Sequence, residues 1–205
     1  MAKFGVGTAY VMPRVAEKVK MYQSAGVEVY FGGTLFEKFY HQNKLADYKS
    51  MMKKLGVNLL EVSCGTIDIS LEDRVALIED FKKDFKVLSE VGSKDTDTIM
   101  PPSIWIKEIN TLLEAGCEYV ITEGRNSGTA GIFRTSGEIR TGLVADIITQ
   151  IDSSKLIFEA PTSKAQMYFI NQVGTNVNLG NVALKDLLLL ETQRLGLRSE
   201  TFHNS

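Results

Sequence analysis

A chain of 205 residues with 44% hydrophobic and 23% charged side chains can bury one large core or two small ones. Its formal net charge of −2 leaves no basic footprint for nucleic acid. No apolar run approaches the roughly 20 residues of a membrane span, and the N-terminal segment lacks a signal-peptide pattern. The two cysteines, Cys64 and Cys117, are too few for a disulfide framework and lack metal-ligand spacing, so the expected setting is the reduced cytoplasm.

In chain order, short β-branched runs alternate with amphipathic stretches. Strands are expected at Lys3–Gly5, Val27–Gly32, Asn58–Ser63, Lys86–Gly92, Tyr119–Gly124, Lys155–Pro161 and Asn176–Asn181. Helical patterns lie between and after them, near 14–24, 35–55, 71–84, 103–115, 141–151, 163–173 and 183–195. Gly26, Gly56, Gly116 and Gly174 stand where helices should stop. Ser70 with Asp73 three residues on reads as a capping box. Such alternation predicts parallel strands joined by right-handed crossovers in one α/β domain over residues 1–205.

Seven such strands fit an open doubly wound sheet or a closed barrel. Four of them carry a glutamate near the C-terminal end: Glu61, Glu90, Glu123 and Glu159, spaced by 29, 33 and 36 residues. An open sheet would spread these carboxylates over roughly 14 Å, at about 4.8 Å per strand. A barrel would gather them at one mouth, where barrel enzymes keep their chemistry. The expectation is therefore a TIM-type (β/α)8 barrel with seven strands visible and the first βα unit missing.

Charged groups are rarely buried without partners, so four strand-end glutamates imply cations. The candidates are Mg²⁺, which suits carboxylates better than Zn²⁺ does, Lys94 in Glu90-Val-Gly-Ser-Lys94, and Arg125. Arg125 stands in Glu123-Gly-Arg125-Asn-Ser127-Gly128, where a guanidinium and glycine-freed amides would clamp a phosphate or carboxylate. Gly33 and Thr34 open a helix after a strand, which aims the positive end of a helix dipole at an anion. Asn178 and Asn181, at the end of the last strand, offer further amide donors. Gly5-Val-Gly7 lacks the third glycine and the acidic partner of a dinucleotide fingerprint. Cys64 has no histidine placed to activate it, and His41 and His203 read as solvated.

The motifs Lys3-Phe-Gly-Val-Gly-Thr8, Phe31-Gly-Gly-Thr-Leu-Phe-Glu37, Leu88-Ser-Glu-Val-Gly-Ser-Lys94, Glu123-Gly-Arg-Asn-Ser-Gly128, Phe158-Glu-Ala-Pro161, Val177-Asn-Leu-Gly-Asn181 and the stretch Leu190 to Phe202 resemble the phosphosulfolactate synthase family. The resemblance runs from Lys3 to Phe202. It departs from the family pattern at Val6 (usually Trp), Cys64 (usually Asp or Asn) and Asn126 (usually acidic). Family members also carry a strand and helix before the Lys-Phe-Gly motif.

The resemblance implies a (β/α)8 barrel and a Mg²⁺-dependent addition of sulfite to phosphoenolpyruvate. The product would be (2R)-2-phospho-3-sulfolactate, on the way to coenzyme M or sulfolactate. It implies Lys94 as general acid, with Glu90 and Arg125 beside it in catalysis. Lys3, Gly33, Thr34, Arg125, Ser127, Gly128, Asn178 and Asn181 are expected to bind substrate, and Glu61, Glu123 and Glu159 to reach the metal. The two anionic substrates bring about four to five negative charges, and four bare carboxylates would repel them by several kcal/mol. Some of the glutamates should therefore hold Lys94 and Arg125 instead. Small anions are the expected partners, without nucleic acid or membrane, and a homo-oligomer is a reasonable assembly. The competing readings are an inactive barrel homologue with a binding or stress-related role, and a phosphate-substrate aldolase using Lys94 as a Schiff base.

Overall fold

A computed structural model describes residues 1–93, 99–125 and 127–203. They form two compact units, Met1–Glu90 with Thr111–Glu118, and Val91–Asn110 with Tyr119–Ser205. In the first unit the order is β1 (Ala2–Phe4), α1 (Thr8–Val11), α2 (Val15–Ser24), β2 (Val29–Phe31), α3 (Gly33–His41), α4 (Leu45–Leu55), β3 (Leu59–Val62), α5 (Leu71–Phe81) and β4 (Lys86–Val91), whose last residue opens the second unit. β1 pairs with β2, β2 with β3 and β3 with β4, all parallel. Every residue of β2 and β3 is buried, which is why these strands are apolar on both faces rather than alternating, with Glu61 the one charged residue among them. Phe36 on α3 meets Tyr48 on α4 at 6.2 Å and Phe81 on α5 at 6.1 Å between ring centroids, so the three helices share one aromatic core.

Helix α6 (Pro102–Ala115) belongs to the second unit up to Asn110 and to the first from Thr111. The second continues with β5 (Tyr119–Thr122), α7 (Thr141–Gln150), β6 (Leu156–Glu159), α8 (Ser163–Val173), β7 (Leu179–Gly180) and α9 (Leu187–Arg194). β5, β6 and β7 pair in parallel. Phe158 stacks on Phe169 at 4.7 Å beneath α8. Parallel strands alternating with helices in both units are compatible with a TIM-type fold. Among the described residues no helix is long and apolar enough to cross a membrane.

Three local outcomes differ from expectation. The helical pattern over 35–55 breaks into α3 and α4 at Asn43, whose φ is +55°; asparagine tolerates the left-handed region, so the chain turns without glycine. The pattern at 183–195 begins as a 3-10 turn over Leu184–Asp186 before α9 starts. The last strand shrinks to two residues. Ser70 caps α5 as expected, accepting from the Asp73 amide at 3.0 Å. Its hydroxyl donates to the Asp73 carboxylate, whereas a full capping box returns a bond to the cap's own amide.

Candidate functional site

The first unit gathers its carboxylates around β3. Side chains two apart on a strand share a face, so Glu61 and Ser63 lie side by side. Glu61, 1% exposed, accepts the Gly33 amide at 2.9 Å, and its other oxygen lies 3.4 Å from Lys3 Nζ. The glycine pair makes this approach feasible. A Cβ on Gly33 would stand 2.2 Å from Ser63 Cβ and 2.6 Å from Glu61 Oε1, and one on Gly32 would stand 3.1 Å from Lys3 Cε. The positive end of α3, read as a seat for substrate through Gly33 and Thr34, therefore receives a side chain of the protein through Gly33. Thr34 is exposed.

The register sets the depth of the glutamates. Glu61 pairs with Leu88 and Val62 with Ser89, so Ser63, not Glu61, stands level with Glu90. The expectation of glutamates at one depth fails here by two residues. Ser63 Oγ consequently lies 3.1 Å from Glu90 Oε1 and 2.8 Å from Glu37 Oε1. Glu37, on α3, also accepts the amides of Gly65 at 2.7 Å and Thr66 at 3.1 Å. Arg74 on α5 donates to the Glu90 carbonyl at 3.3 Å.

In the second unit, Thr122 pairs with Phe158, so Glu123 and Glu159 follow at one level on adjacent strands. Both are buried. Glu123 Oε1 accepts the Arg125 amide at 2.6 Å, and Glu159 Oε2 accepts the Gly124 amide at 2.9 Å. A Cβ on Gly124 would lie 2.6 Å from the Phe133 ring, and one on Gly131 only 2.0 Å from the Glu123 carbonyl oxygen. Two glycines thus let the loop after β5 fold down onto its own strand end. Arg125 itself has φ +55° and an exposed side chain.

Other expected donors are already spent. The Gly128 amide closes a turn onto the Arg125 carbonyl at 3.1 Å, and Ser127 Oγ shares a hydrogen with Thr129 Oγ1 at 2.7 Å. Asn178 Nδ2 donates to the carbonyls of Ser154 and Leu156 at 3.1 Å each. That is the entry end of β6, so Asn178 ties strands together rather than facing a ligand at the exit end. Asn181 has φ +55°. Lys94 and Asn126 lie outside the described residues.

Two residues of this region escape sequence reasoning. Glu37 stands inside a helix and carries no strand-end signal, although its motif, Phe31 to Glu37, was visible. Tyr48, fully buried on α4, looks like an ordinary aromatic of an amphipathic helix. Burial, and then the Glu61 charge, push its phenol well above the usual tyrosine range, so it stays protonated beside the carboxylate. Cys117 is buried, and burial raises its thiol to about 12 against a smaller opposing effect of Arg74.

Among the described residues no three His, Cys, Asp or Glu side chains gather as a metal cage. A cavity of about 690 Å³ lies in the second unit between the starts of α7 and α8, lined by Phe133, Arg134, Arg140, Lys164 and Tyr168 among others, and by none of the strand-end glutamates. Burial first, and the neighbouring Arg134 second, lower the Arg140 pKa.

The family profile described as (2R)-phospho-3-sulfolactate synthase (ComA) matches residues 1–200. The phosphosulfolactate synthase of Bacillus subtilis is 44% identical over 98% of this chain and 81% of its own length. That of Methanocaldococcus jannaschii is 43% identical over 98% and 82%. Among solved structures, 3-hexulose-6-phosphate synthase superposes with a TM-score of 0.54 over 95% of this chain and 86% of its own, at 13% identity, a likeness of fold alone.

Proposed function

This chain belongs to the (2R)-phospho-3-sulfolactate synthase family, and from that premise we propose that it is a lyase joining sulfite to phosphoenolpyruvate to give (2R)-2-phospho-3-sulfolactate. The observation that carries the reading is the match over residues 1–200 together with 44% identity to a curated synthase. A TIM-type barrel is the architecture the reading takes.

Sulfite is already a strong nucleophile and needs little base assistance. The barrier lies in the charge that its attack at C3 pushes onto C2 and the carboxylate of phosphoenolpyruvate, and in the proton that C2 must then receive. Lys3 is assigned to that charge. Glu61 holds its ammonium beside β1, and Gly32 leaves room for its stem. Glu61 accordingly moves from metal ligand to holder of Lys3. Lys94 is assigned the proton for C2, and Arg125 the phosphate.

Mg²⁺ uses one or two carboxylates with water and substrate oxygens rather than a full protein cage. Glu123 and Glu159 fit that need: two buried carboxylates at one level on adjacent strands favour a shared positive charge. They would hold the ion, which would supply stabilisation of charge on the substrate carboxylate. Each carboxylate's bond to a loop amide fixes its orientation.

The test is incubation of the purified chain with phosphoenolpyruvate, sulfite and Mg²⁺, followed by ³¹P NMR. The expected result is phosphosulfolactate, lost with EDTA and restored by Mg²⁺. A folded sample that makes no product overturns the activity; product formation indifferent to EDTA overturns the metal assignment alone.

A further inference from the structure

Ser63 sits between two carboxylates with one hydrogen to give. Its Oγ is 2.8 Å from Glu37 Oε1 and 3.1 Å from Glu90 Oε1, and all three residues are at most 2% exposed. An ionised carboxylate only accepts, so the hydroxyl can satisfy one of them and must turn lone pairs to the other. Glu37 has the stronger claim. Its contact is the shorter, and it already holds the Gly65 and Thr66 amides, which fixes it as the acceptor end of the network. The Ser63 hydrogen then points to Glu37, and two acceptors, Ser63 Oγ and Glu90 Oε1, face each other at 3.1 Å. In a buried place such a pair is stable only around a proton or another proton-bearing group.

We propose that Glu37 is a positioning residue for the reaction. Through the Ser63 hydroxyl it makes Ser63 Oγ and Glu90 Oε1 a matched pair of acceptors that holds the proton-bearing group of the active site. The proposal rests on the synthase reading above for its kinetic consequence, but the network itself is independent of that reading. Glu37 touches Glu90 only through Ser63 among the bonds described, sits on a different element, and is fastened to the β3–α5 loop at both of its oxygens. It is thus placed to set the hydroxyl's direction without meeting substrate. Gly33 lies close against Ser63: a Cβ there would stand 2.7 Å from Ser63 Oγ.

The experiment pairs Glu37→Gln and Ser63→Ala, singly and together, with ¹³C-carboxyl NMR of Glu90 and steady-state kinetics. Circular dichroism verifies the fold of each variant. In Glu37→Gln the near-isosteric amide offers hydrogens where the carboxylate accepted, so the Ser63 hydroxyl turns towards Glu90. The Glu90 carboxyl resonance is expected to move in both single variants, and no further in the double than in Ser63→Ala. kcat is expected to fall about 10- to 100-fold, with KM for phosphoenolpyruvate changed less than about threefold and with non-multiplicative losses in the double variant. A Glu90 resonance unmoved in folded Glu37→Gln overturns the proposal, as does a kcat within twofold of the parent. If the parent chain makes no product, the synthase reading fails while the NMR arm still decides the relay. Should Glu37→Gln fail to fold, Ser63→Ala carries the same two readouts.

Discussion

Gly33→Ala is the most sensitive probe of how the first unit is assembled. The new Cβ would lie 2.2 Å from Ser63 Cβ and 2.6 Å from Glu61 Oε1, distances that no real Cβ contact tolerates. Ser63 and Glu61 are 0% and 1% exposed, so neither has anywhere to go, and α3 must retreat from β3. Overpacking of this kind costs about 1–3 kcal/mol. The retreat also breaks the 2.9 Å bond from the Gly33 amide to a buried carboxylate, and a bond to a charged group contributes about 1.5–3 kcal/mol. The sum, roughly 3–6 kcal/mol, is a large share of the roughly 5–15 kcal/mol of a typical domain. At about 2–4 °C per kcal/mol for a chain of this size, Tm should fall by roughly 6–24 °C. Urea and thermal unfolding measure both. Gly142→Ala is the matched control: nothing stands within 4 Å of its Cβ, and it lies in the first turn of α7, so it should be neutral or stabilising by up to about 1 kcal/mol. Equal stabilities for the two variants would refute the close-approach argument.

Replacing Arg125, which adopts φ +55°, by glycine should raise stability by up to about 1 kcal/mol while lowering kcat/KM at least tenfold; stability and activity falling together would refute the phosphate role. Lys94→Ala should abolish product formation, and retained turnover would remove it as proton donor. Glu61→Gln should raise KM for phosphoenolpyruvate by freeing Lys3. Its stability cost should stay near 1–3 kcal/mol, below that of a fully buried pair, because the Lys3 side chain is 23% exposed. Cys117 adds a pH signature. Its thiol is raised from about 9 to about 12 by burial, so the folded state holds its proton where the unfolded state has lost it. Stability contributed by that difference is complete below pH 9 and is lost as pH rises through 9–12, by roughly 1.4 kcal/mol per unit. Urea midpoints of parent and Cys117→Ala should converge across that window, and parallel curves would contradict the buried thiol.

Comparing the two clusters shows where local sequence stops being informative. The α/β alternation, the strand-end positions of the glutamates and the cap at Ser70 were visible because each follows from a short-range period or a neighbour three residues away. Strand register was not, since it depends on how whole strands slide in packing. A two-residue offset between β3 and β4 put Ser63, not Glu61, beside Glu90. The donors assigned to substrate find partners within the chain for a related reason. Gly33, Gly128 and Asn178 have the right chemistry, but the folded chain satisfies them with its own Glu61, Arg125 and Ser154 groups, because a buried polar group takes the nearest partner available.

The sequence by itself determined the class of fold, the family and the four carboxylates on strand ends, since these are written in periodicity and in motifs that survive as strings. Only the tertiary structure decided what the carboxylates do. Contacts over 26 to 58 residues of chain separation turned Glu61 towards Lys3, Glu159 towards the Gly124 amide and Glu37 towards Ser63. A hydrogen-bond partner is chosen by distance in space, and no linear pattern records that distance.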